Sequence, residues 1–507
     1  MSRLVVVSNR VATTEGATSG GLAVALRSGL AGDPALWFGW SGERVAAYTG
    51  DVTQRRVGDL DVATVDLEEA DYEAYYNGYS NGALWPLFHS RTDLADYERA
   101  FAEGYRRVNR RFAEALAPLL QPGDLIWVHD YHLIPLGAEL RRLGVEAPIG
   151  FFLHIPWPAR QLFATLPRHR DLAEALFAYD LVGMQTDDDV EAFDSYALHE
   201  AGGVRDGDRV EAFGRSTIVR AFPIGLDTDN FLALSRSDEA IRACDRMTAH
   251  GLFRSLIVGV DRLDYSKGIP ERLLGFEQYL RDHPDMVRKV LYLQIAPSSR
   301  GEVEAYQTLR ANVLALAGRI NATWAEMDHA PMLCVNRNYA RAELAGIYRA
   351  AKVGLVTPLR DGMNLVAKEY VAAQDPSDPG VLILSRFAGA SRQMRDALIV
   401  NPYSPEELAD ALASAIAMPL EERIRRWDSL MAGVVRDDVG AWKDCFVAAL
   451  ELARDSGASE GERPRRATRA FGQLSADPLG PTPLRLGPRL SSDTAFSAAG
   501  WRPTAPG

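Results

Sequence analysis

The sequence predicts an α/β protein made of two doubly wound, Rossmann-like domains that face a cleft. Short apolar runs recur along the chain, and each of them ends in polar residues. Amphipathic helical patterns lie between these runs, for example over residues 97–120 and 271–280. Strands that alternate with helices indicate parallel sheets with right-handed crossovers. The runs are too many for one compact sheet, so we expect two domains.

The apolar runs fall into two series, and each series supplies the strands of one domain. The first comprises residues 4–7, 125–128, 149–153, 181–184 and 217–221, and the second comprises residues 256–260, 290–295, 332–335, 353–356, 381–384 and 398–400. A turn cluster at 223–227 places the first domain at residues 1–228 and the second at 229–435. Residues 456–507, rich in Pro, Gly, Ser and Arg, predict a disordered tail.

The composition limits the function classes. A formal net charge of −12 argues against general nucleic-acid binding, although it leaves small anionic substrates open. The 3 cysteines are far apart and form no CxxC pair, so neither a disulfide framework nor a structural zinc site is expected, and a reduced cytoplasm fits best. No segment approaches the roughly 18 apolar residues of a membrane span.

A charged turn at residues 360–364 is the most informative stretch of the chain. It joins a buried apolar run, 352–356, to a helical pattern that starts at Leu365. Such a junction offers unpaired backbone N–H groups and the positive end of a helix dipole, and α/β proteins bind phosphates there. Glu369 falls about one helical turn further on, where its carboxylate can accept hydrogen bonds from sugar hydroxyls. We interpret this stretch as half of a nucleotide-sugar site.

Arg262 and Lys267 follow the run at 256–260 and precede a helical pattern. Two cations can hold a pyrophosphate and stabilise the negative charge that develops as it leaves. One ion pair at about 4 Å contributes on the order of 4 kcal/mol at an intermediate dielectric, so two suffice for a leaving group. The alternative is a surface ion-pair network with Asp261 and Asp264.

Polar residues also follow the strands of the first series, where ligands of doubly wound sheets bind. The segment 129–132 reads His-Asp-Tyr-His, and Asp130 and His132 suit sugar hydroxyls better than a metal ion, because no third His or Cys lies nearby in sequence. His154 follows the next run, and a site role competes with that of a satisfied core histidine. Gly20 and Gly21 allow a close approach to phosphate, or form an ordinary turn.

Residues 75–86 form a dense cluster of aromatic and amide side chains. Sugars stack on aromatic faces and bond to amides, so the cluster suits a carbohydrate acceptor, and a packed loop accounts for the composition equally well. Its GxSxG match, Gly78 to Gly82, lacks the preceding strand that a hydrolase nucleophile needs. No P-loop is present, because the chain contains no Gly-Lys dipeptide.

Taken together, these stretches resemble the trehalose-6-phosphate synthase family, retaining glucosyltransferases of the GT-B fold. The likeness covers about residues 2–452, and the tail lies outside it. It is carried, in order, by LVVVSNR, GGLA, LWFGWSGE, YYNGYSN with LWP, IWVHDYHL, GFFLHIPWP, DRLDYSKGIPER, IAPSSRG and VGLVTPLRDGMNLVAKEYVAAQ.

The resemblance implies a transfer of glucose from a nucleotide-glucose to glucose 6-phosphate, with neither metal nor cofactor. UDP-glucose is the family's usual donor, and ADP- or GDP-glucose stay open. The implied catalytic residues are Asp130, His154, Arg262, Lys267 and Asp361. The implied donor contacts are Gly20, Gly21, Arg262, Lys267, Tyr339, Asp361, Gly362, Met363, Asn364, Leu365, Val366 and Glu369. The implied acceptor contacts are Arg10, Trp40, Tyr76, Trp85, Asp130, Tyr131, His132 and Arg300.

The resemblance also implies how the domains divide the work. The first domain would bind the acceptor and be completed by a C-terminal helix at residues 436–455, and the second would bind the nucleotide sugar. Three rivals remain: a catalytically silent binding homologue, a related GT-B transferase with another donor base or acceptor, and a phosphorylase with pyridoxal phosphate on Lys267 or Lys368. No nucleic-acid or membrane partner is expected, and a homo-oligomer is one open alternative for the assembly.

Overall fold

The protein is described here from a computed structural model, which covers residues 3–11, 26–27, 29–30, 34–58, 60–249, 255–298 and 304–460. Gly20, Gly21 and Arg300 lie outside these described residues, as do residues 461–507 of the expected tail. The last helix runs to Glu460, so the helix continues past the residue where the sequence predicted disorder to begin.

The first sheet has ten strands in the order β3-β4-β2-β1-β5-β6-β7-β10-β9-β8. Its members are β1 Leu4–Arg10, β2 Ala35–Val45, β3 Thr53–Val57, β4 Leu60–Glu68, β5 Leu125–His129, β6 Ile149–Phe152, β7 Leu181–Met184, β8 Val204–Asp206, β9 Arg209–Ala212 and β10 Arg215–Ala221. The inner strands from β4 to β10 pair in parallel, and β3, β9 and β8 pair antiparallel at the two edges.

The second sheet has six parallel strands in the order β13-β12-β11-β14-β15-β16. They are β11 Ser255–Val260, β12 Val290–Ile295, β13 Met332–Val335, β14 Val353–Val356, β15 Val381–Ser385 and β16 Leu398–Val400. Successive strands are added toward one edge of the sheet up to β13 and toward the other edge from β14, so the switch point lies between β11 and β14. In the first sheet the corresponding switch point lies between β1 and β5. Both sheets are therefore doubly wound, and the predicted fold class is confirmed.

Helices lie between the strands and follow them. They are α1 Glu69–Asp71, α2 Trp85–Phe88, α3 Arg99–Leu116, α4 Leu136–Arg142, α5 Arg160–Phe163, α6 His169–Leu176, α7 Asp187–His199, α8 Thr228–Ser235, α9 Asp238–Thr248, α10 Ile269–Asp282, α11 Glu304–Trp324, α12 Arg341–Ala350, α13 Leu365–Ala373, α14 Pro405–Ala417, α15 Leu420–Arg436 and α16 Val439–Glu460. A π-helical segment, Tyr72–Leu84, joins α1 to α2. No helix in the described ranges is long and apolar enough to cross a membrane.

The last helix, α16, packs on the first sheet although it follows the second in sequence. The ring of Phe446 fills the space above Gly150 and Gly183, where an added Cβ atom would lie 2.7 Å from that ring. The indole of Trp442 packs against that of Trp127, with ring centroids 4.7 Å apart. Glycine on the strands is thus what admits the large aromatic side chains of the helix. The residue boundaries of the two domains stay a prediction.

Candidate active site

Several of the predicted site residues that the structure describes lie at or near the carboxyl ends of strands in both sheets. Two contacts join residues from the two halves of the chain at this edge. The indole Nε1 of Trp85 donates to Asp264 at 3.4 Å, and the guanidinium of Arg360 donates to the carbonyl of Trp157 at 2.9 Å. A Cβ atom on Gly362 would collide with the carbonyl of His154. The turn that the sequence singled out therefore lies directly against the first sheet.

Lys267 and Asp361 form an ion pair at the strand ends of the second sheet. The Nζ of Lys267 lies 2.5 Å from Oδ2 of Asp361, and both side chains are largely shielded from solvent. Burial lowers the pKa of Lys267, but the carboxylates of Asp361 and Asp261 outweigh it and raise the pKa above its usual value. Lys267 thus keeps its positive charge in a protected position, as a diphosphate site requires. Arg262 is exposed, and its charge lies close enough to oppose that of Lys267.

Asn364 fixes the turn between β14 and α13. Its backbone has a φ of 78°, in the left-handed region that asparagine tolerates better than most residues. The side-chain amide donates to Asp361 at 3.0 Å, while its oxygen caps α13 by accepting from the backbone N–H of Ala367 at 3.3 Å. Gly362 and Met363 are buried, and Leu365 and Val366 open the helix partly exposed. The positive end of α13 therefore begins beside the Lys267 ion pair.

Arg272 is a site residue that the sequence analysis missed. Its fully buried guanidinium donates to Asp261 at 2.8 Å, to Thr357 at 2.9 Å and to the carbonyl of Lys267 at 3.2 Å. It thereby ties the loop after β11 to the end of β14. The alternative was an ion-pair network of Arg262 and Lys267 with Asp261 and Asp264. In the structure Asp261 forms its salt bridge with Arg272, and Lys267 forms its own with Asp361. In sequence, Arg272 resembles any polar residue of an amphipathic helix, so no local signal distinguishes it.

The carboxylate of Glu369 is already engaged. Arg341 donates to Oε1 of Glu369 from Nε at 3.1 Å and from its terminal nitrogen at 2.9 Å. Burial raises the pKa of Glu369, and Arg341 opposes that effect. The ion pair leaves the second carboxylate oxygen available to a hydroxyl. Tyr339 precedes α12, and the guanidinium of Arg337 lies 4.4 Å from its ring centroid.

Arg10 and the aromatic residues of the predicted acceptor set form a row of contacting side chains beside the first sheet. The guanidinium of Arg10 lies 5.5 Å from the ring centroid of Trp40, and Trp40 lies 6.1 Å from Tyr76. Tyr76 and His132 stack almost in parallel at 5.8 Å. Beyond them, Tyr131 contacts Trp85 with centroids 5.8 Å apart. The structure therefore brings Arg10 and the aromatic acceptor residues together in this row, while Asp130 lies at the end of β5 beside His154.

The cluster at residues 75–86 is a helix rather than a packed loop. It contains most of the π-helical segment Tyr72–Leu84, an uncommon geometry often found at functional sites. Asn81 supports it from inside, because its amide donates to the carbonyl of Tyr76 and its oxygen accepts from the hydroxyl of Tyr131, both at 2.9 Å. The segment presents Tyr76 toward the ring row and leads directly into Trp85.

Asp130 and His154 lie at the ends of neighbouring strands, β5 and β6. Asp130 has a φ of 76°, a strained value for a residue other than glycine, and its carboxylate accepts from the backbone N–H of His154 at 3.3 Å. The Nε2 of His154 lies 3.0 Å from the Nδ1 of His129. Burial lowers the pKa of His154 to about 3, so its ring is neutral. Among the described residues, no group of three His, Cys, Asp or Glu side chains could hold a metal ion.

Lys368 is buried and bonded to the backbone, apart from the Lys267–Asp361 ion pair. Its Nζ donates to the carbonyl of Ile224 at 2.8 Å, in the segment that connects the two sheets, and burial lowers its pKa to about 8. Lys267 is paired with Asp361, so both lysines that the pyridoxal phosphate alternative names are occupied by protein partners. This arrangement favours a transferase without a lysine-bound cofactor over that alternative.

Comparisons with known proteins agree with this geometry. The model of glycosyltransferase family 20 matches residues 3–452. The chain is 47% identical over 461 residues to the trehalose-6-phosphate synthase of Sinorhizobium fredii, which covers 90% of this chain and 99% of the relative.

Two solved structures are similar over nearly the whole described chain. One is an alpha,alpha-trehalose-phosphate synthase (UDP-forming) from Burkholderia xenovorans in complex with glucose-6-phosphate, with a TM-score of 0.86, 47% identity, and coverage of 89% of this chain and 100% of that chain. The other is an E. coli protein bound with UDP-2-fluoro glucose, with a TM-score of 0.85, 44% identity, and coverage of 89% and 99%. The GT-B fold prediction is confirmed, and this chain is a member of glycosyltransferase family 20.

Proposed function

We propose that the enzyme transfers glucose from UDP-glucose to glucose 6-phosphate with retention of configuration, giving α,α-trehalose 6-phosphate and UDP. The ion-paired Lys267, the exposed Arg262 and the positive end of α13 suit a diphosphate. The row of rings that ends at Arg10 suits a phosphorylated hexose. The names of the similar synthases, one solved with glucose-6-phosphate and one with UDP-2-fluoro glucose, support this pair of substrates.

On the donor side, positive charge stabilises the departing diphosphate. Lys267 stays protonated beside Asp361, and Arg262 and α13 add positive potential where the diphosphate leaves. Charges placed in advance in a shielded site stabilise a leaving group without reorganising solvent. Glu369, oriented by Arg341, offers an oxygen to ribose hydroxyls. Tyr339 lies near the base in this proposal, and UDP is preferred to ADP or GDP.

On the acceptor side, Arg10 binds the phosphate and the rings bind the sugar. A guanidinium pairs with phosphate through two parallel hydrogen bonds, while Trp40, Tyr76 and His132 present apolar faces to the hexose. Gly20, Gly21 and Arg300 keep their proposed phosphate roles. Asp130, fixed in strained backbone, and His154 lie at the sugar carbons between the two substrates. The departing phosphate itself accepts the proton of the acceptor hydroxyl on the same face.

The domain organisation belongs to the same proposal. Residues 1–228 with the helix at 436–455 form the acceptor domain, and residues 229–435 form the donor domain. The packing of Phe446 and Trp442 on the first sheet supports this division. A cytoplasmic location agrees with Cys244, Cys334 and Cys445, which are unpaired among the described residues.

The observation that best supports the proposal is the position of two groups. The Lys267–Asp361 pair and the ring row that ends at Arg10 both lie at the strand ends where Gly362 contacts His154. The test is a donor panel of UDP-, ADP- and GDP-glucose, each with glucose 6-phosphate or with glucose. We expect UDP release that depends on glucose 6-phosphate, and an α,α-1,1 linkage by NMR.

Arg10→Ala should raise the KM for glucose 6-phosphate at least about tenfold while changing the KM for the donor little. Arg44→Ala, at an exposed arginine nearby, is the control. Substrate binding by calorimetry without any turnover would favour the silent homologue instead.

A further inference from the structure

Behind His154 lies a second buried histidine that has no assigned role. His129 ends β5 and His154 follows β6, and these two strands pair in parallel. The Nδ1 of His129 and the Nε2 of His154 are 3.0 Å apart, a hydrogen-bond distance. Two ring nitrogens can form such a bond only if one of them carries the proton, so the pair must adopt one of two arrangements.

The surroundings of His129 favour one of these arrangements. Its ring has no exposed surface and packs against Trp127 and Trp442, with centroids 4.5 Å and 6.1 Å away. Its Nε2 is buried and has no hydrogen-bond partner in the described part of the chain. A buried N–H group without an acceptor is rare in folded proteins, so Nε2 is better assigned as the unprotonated nitrogen. The proton of His129 therefore belongs on Nδ1, which donates to His154.

The proton of His154 is then fixed as well. Burial lowers the pKa of both histidines far below neutrality, so each ring carries one proton. Because Nε2 of His154 accepts from His129, its own proton must lie on Nδ1. His154 is partly exposed, and its Nδ1 is not among the buried unpartnered atoms of the described residues. This N–H is therefore the ring donor that His154 keeps for a ligand.

The backbone of His154 is already held. Asp130 accepts from its N–H at 3.3 Å, and the side-chain amide of Gln185 donates to its carbonyl at 3.4 Å. With the backbone fixed, the remaining freedom is the rotation and the tautomer of the ring. The contact with His129 removes both.

We propose that His129 is a positioning residue, which holds His154 in the Nδ1–H tautomer so that its ring donates a hydrogen bond to an oxygen of the transferred sugar. The inference rests on the proposed function for the place of that sugar. A neutral donor suits a hydroxyl oxygen, and it adds no cation that would compete with Lys267 and Arg262 for the diphosphate. The other tautomer would present a lone pair to the sugar and would lose a bond to any oxygen that cannot donate.

The first test needs no substrate, and it uses a variant only to assign signals. In the whole protein labelled with ¹⁵N-histidine, His154→Gln identifies the His154 signals. We expect the shift pattern of a protonated Nδ1 and an unprotonated Nε2 for His154. A protonated Nε2 on His154 would overturn the proposal. Because this measurement is made without substrates, it gives its answer even if the donor panel contradicts the proposed function.

The second test separates positioning from packing. His129→Asn keeps an amide donor near the position of Nδ1, while His129→Phe keeps the ring packed on Trp127 but removes the donor. We expect kcat of the Phe variant to fall about tenfold, the value of one neutral hydrogen bond, with little change in either KM, and the Asn variant to recover most of it. His169→Phe, which removes a histidine bonded to Tyr196 outside the site, is the control. Equal kcat values for the Phe variant and the wild type, or equal losses in the Asn and Phe variants, would contradict the inference.

Discussion

The indole of Trp85 donates to the carboxylate of Asp264 at 3.4 Å, and this bond joins a residue of the acceptor row to the loop that carries Lys267. Asp264 has no exposed surface and also accepts from the backbone N–H of Ser266 at 3.0 Å and from the hydroxyl of Tyr306 at 2.9 Å. The carboxylate is therefore anchored on the second half and reaches the first half through Trp85. One hydrogen bond thus reports directly on how the two halves fit together.

Trp85→Phe should weaken that fit without disturbing the fold. The variant keeps an aromatic ring but loses the N–H group, a contribution of about 1 kcal/mol, so kcat/KM for glucose 6-phosphate should fall about fivefold. Steady-state kinetics with each substrate varied in turn measures the effect. Trp324→Phe, at the end of α11, is the matched control and should leave both KM values unchanged. An unchanged kcat/KM in Trp85→Phe would mean that the bond does not couple the halves.

Buried parallel strands were predictable from sequence because both of their faces are apolar. The predicted bounds agree with the structure for β7, β12, β13, β14 and β16. The strands β2, β3, β4, β8 and β9 were missed. The run Thr53–Val57 reads Thr-Gln-Arg-Arg-Val and is mostly exposed at the sheet edge, so pairing with β4, and not its own composition, makes it a strand. The sequence also predicts a polar helical connector at residues 230–250, and the structure has two helices there, α8 and α9.

Site residues that follow strands could be predicted from the sequence. The side chains that pair with them could not. The sequence placed Lys267 and Asp361 at strand ends, but their ion pair spans 94 residues of chain. Arg272 and His129 act from buried positions, and burial of a polar residue depends on which elements pack around it. The pairing of Glu369 with Arg341 has the same origin, since α12 and α13 meet only in the folded protein.

Removal of the Asp361 carboxylate should lower the pKa of Lys267. The chain has five lysines, so ε-¹³C-labelled lysine gives a spectrum simple enough to assign by substitution. In the wild type, one signal should titrate above the ordinary lysine range, because Asp361 and Asp261 outweigh burial. In Asp361→Asn the opposing effect of burial remains, and the pKa of Lys267 should fall by about one unit or more.

The control for the lysine titration is Asp285→Asn. Asp285 pairs with Lys289 on the surface at 2.9 Å, so only the Lys289 signal should respond. A Lys267 pKa that is the same in Asp361→Asn and the wild type would contradict the ion pair.

Lys368 should make stability depend on pH in the opposite sense to a lysine whose pKa an ion pair raises. Burial lowers its pKa to about 8 in the folded protein, while the unfolded chain keeps the usual 10.5. Between these values the unfolded state binds more protons, so the free energy of unfolding contributed by Lys368 rises as pH increases. The full difference is on the order of 3 kcal/mol, and urea midpoints measured from pH 7 to pH 10 should report it.

The comparison with Lys368→Met isolates this effect from tyrosines that titrate in the same range. The variant should be less stable at high pH, because the carbonyl of Ile224 loses its donor, and the rise between about pH 8 and 10 should disappear from its profile. Lys289→Met, at an exposed lysine, should keep the wild-type profile. Parallel profiles for Lys368→Met and the wild type would show that Lys368 has an ordinary pKa.

Gly362→Ala tests the contact on which the geometry of the cleft depends. A methyl group at residue 362 would collide with the carbonyl of His154, and the carbonyl of Gly362 in turn lies where a Cβ atom on Gly389 would be. The turn must therefore move away from the first sheet, at a cost of about 1–3 kcal/mol, and it carries Asp361 out of its position beside Lys267. We expect kcat to fall more than about tenfold while isolated UDP still binds, since a small displacement of reacting groups affects chemistry more than binding.

The matched control is Gly318→Ala on the exposed face of α11, where no atom lies within 4 Å of the new methyl group and stability should rise by about 0.5–1 kcal/mol. Wild-type kcat and thermal stability in Gly362→Ala would show that the turn has room to relax, and that the halves do not need this contact for catalysis.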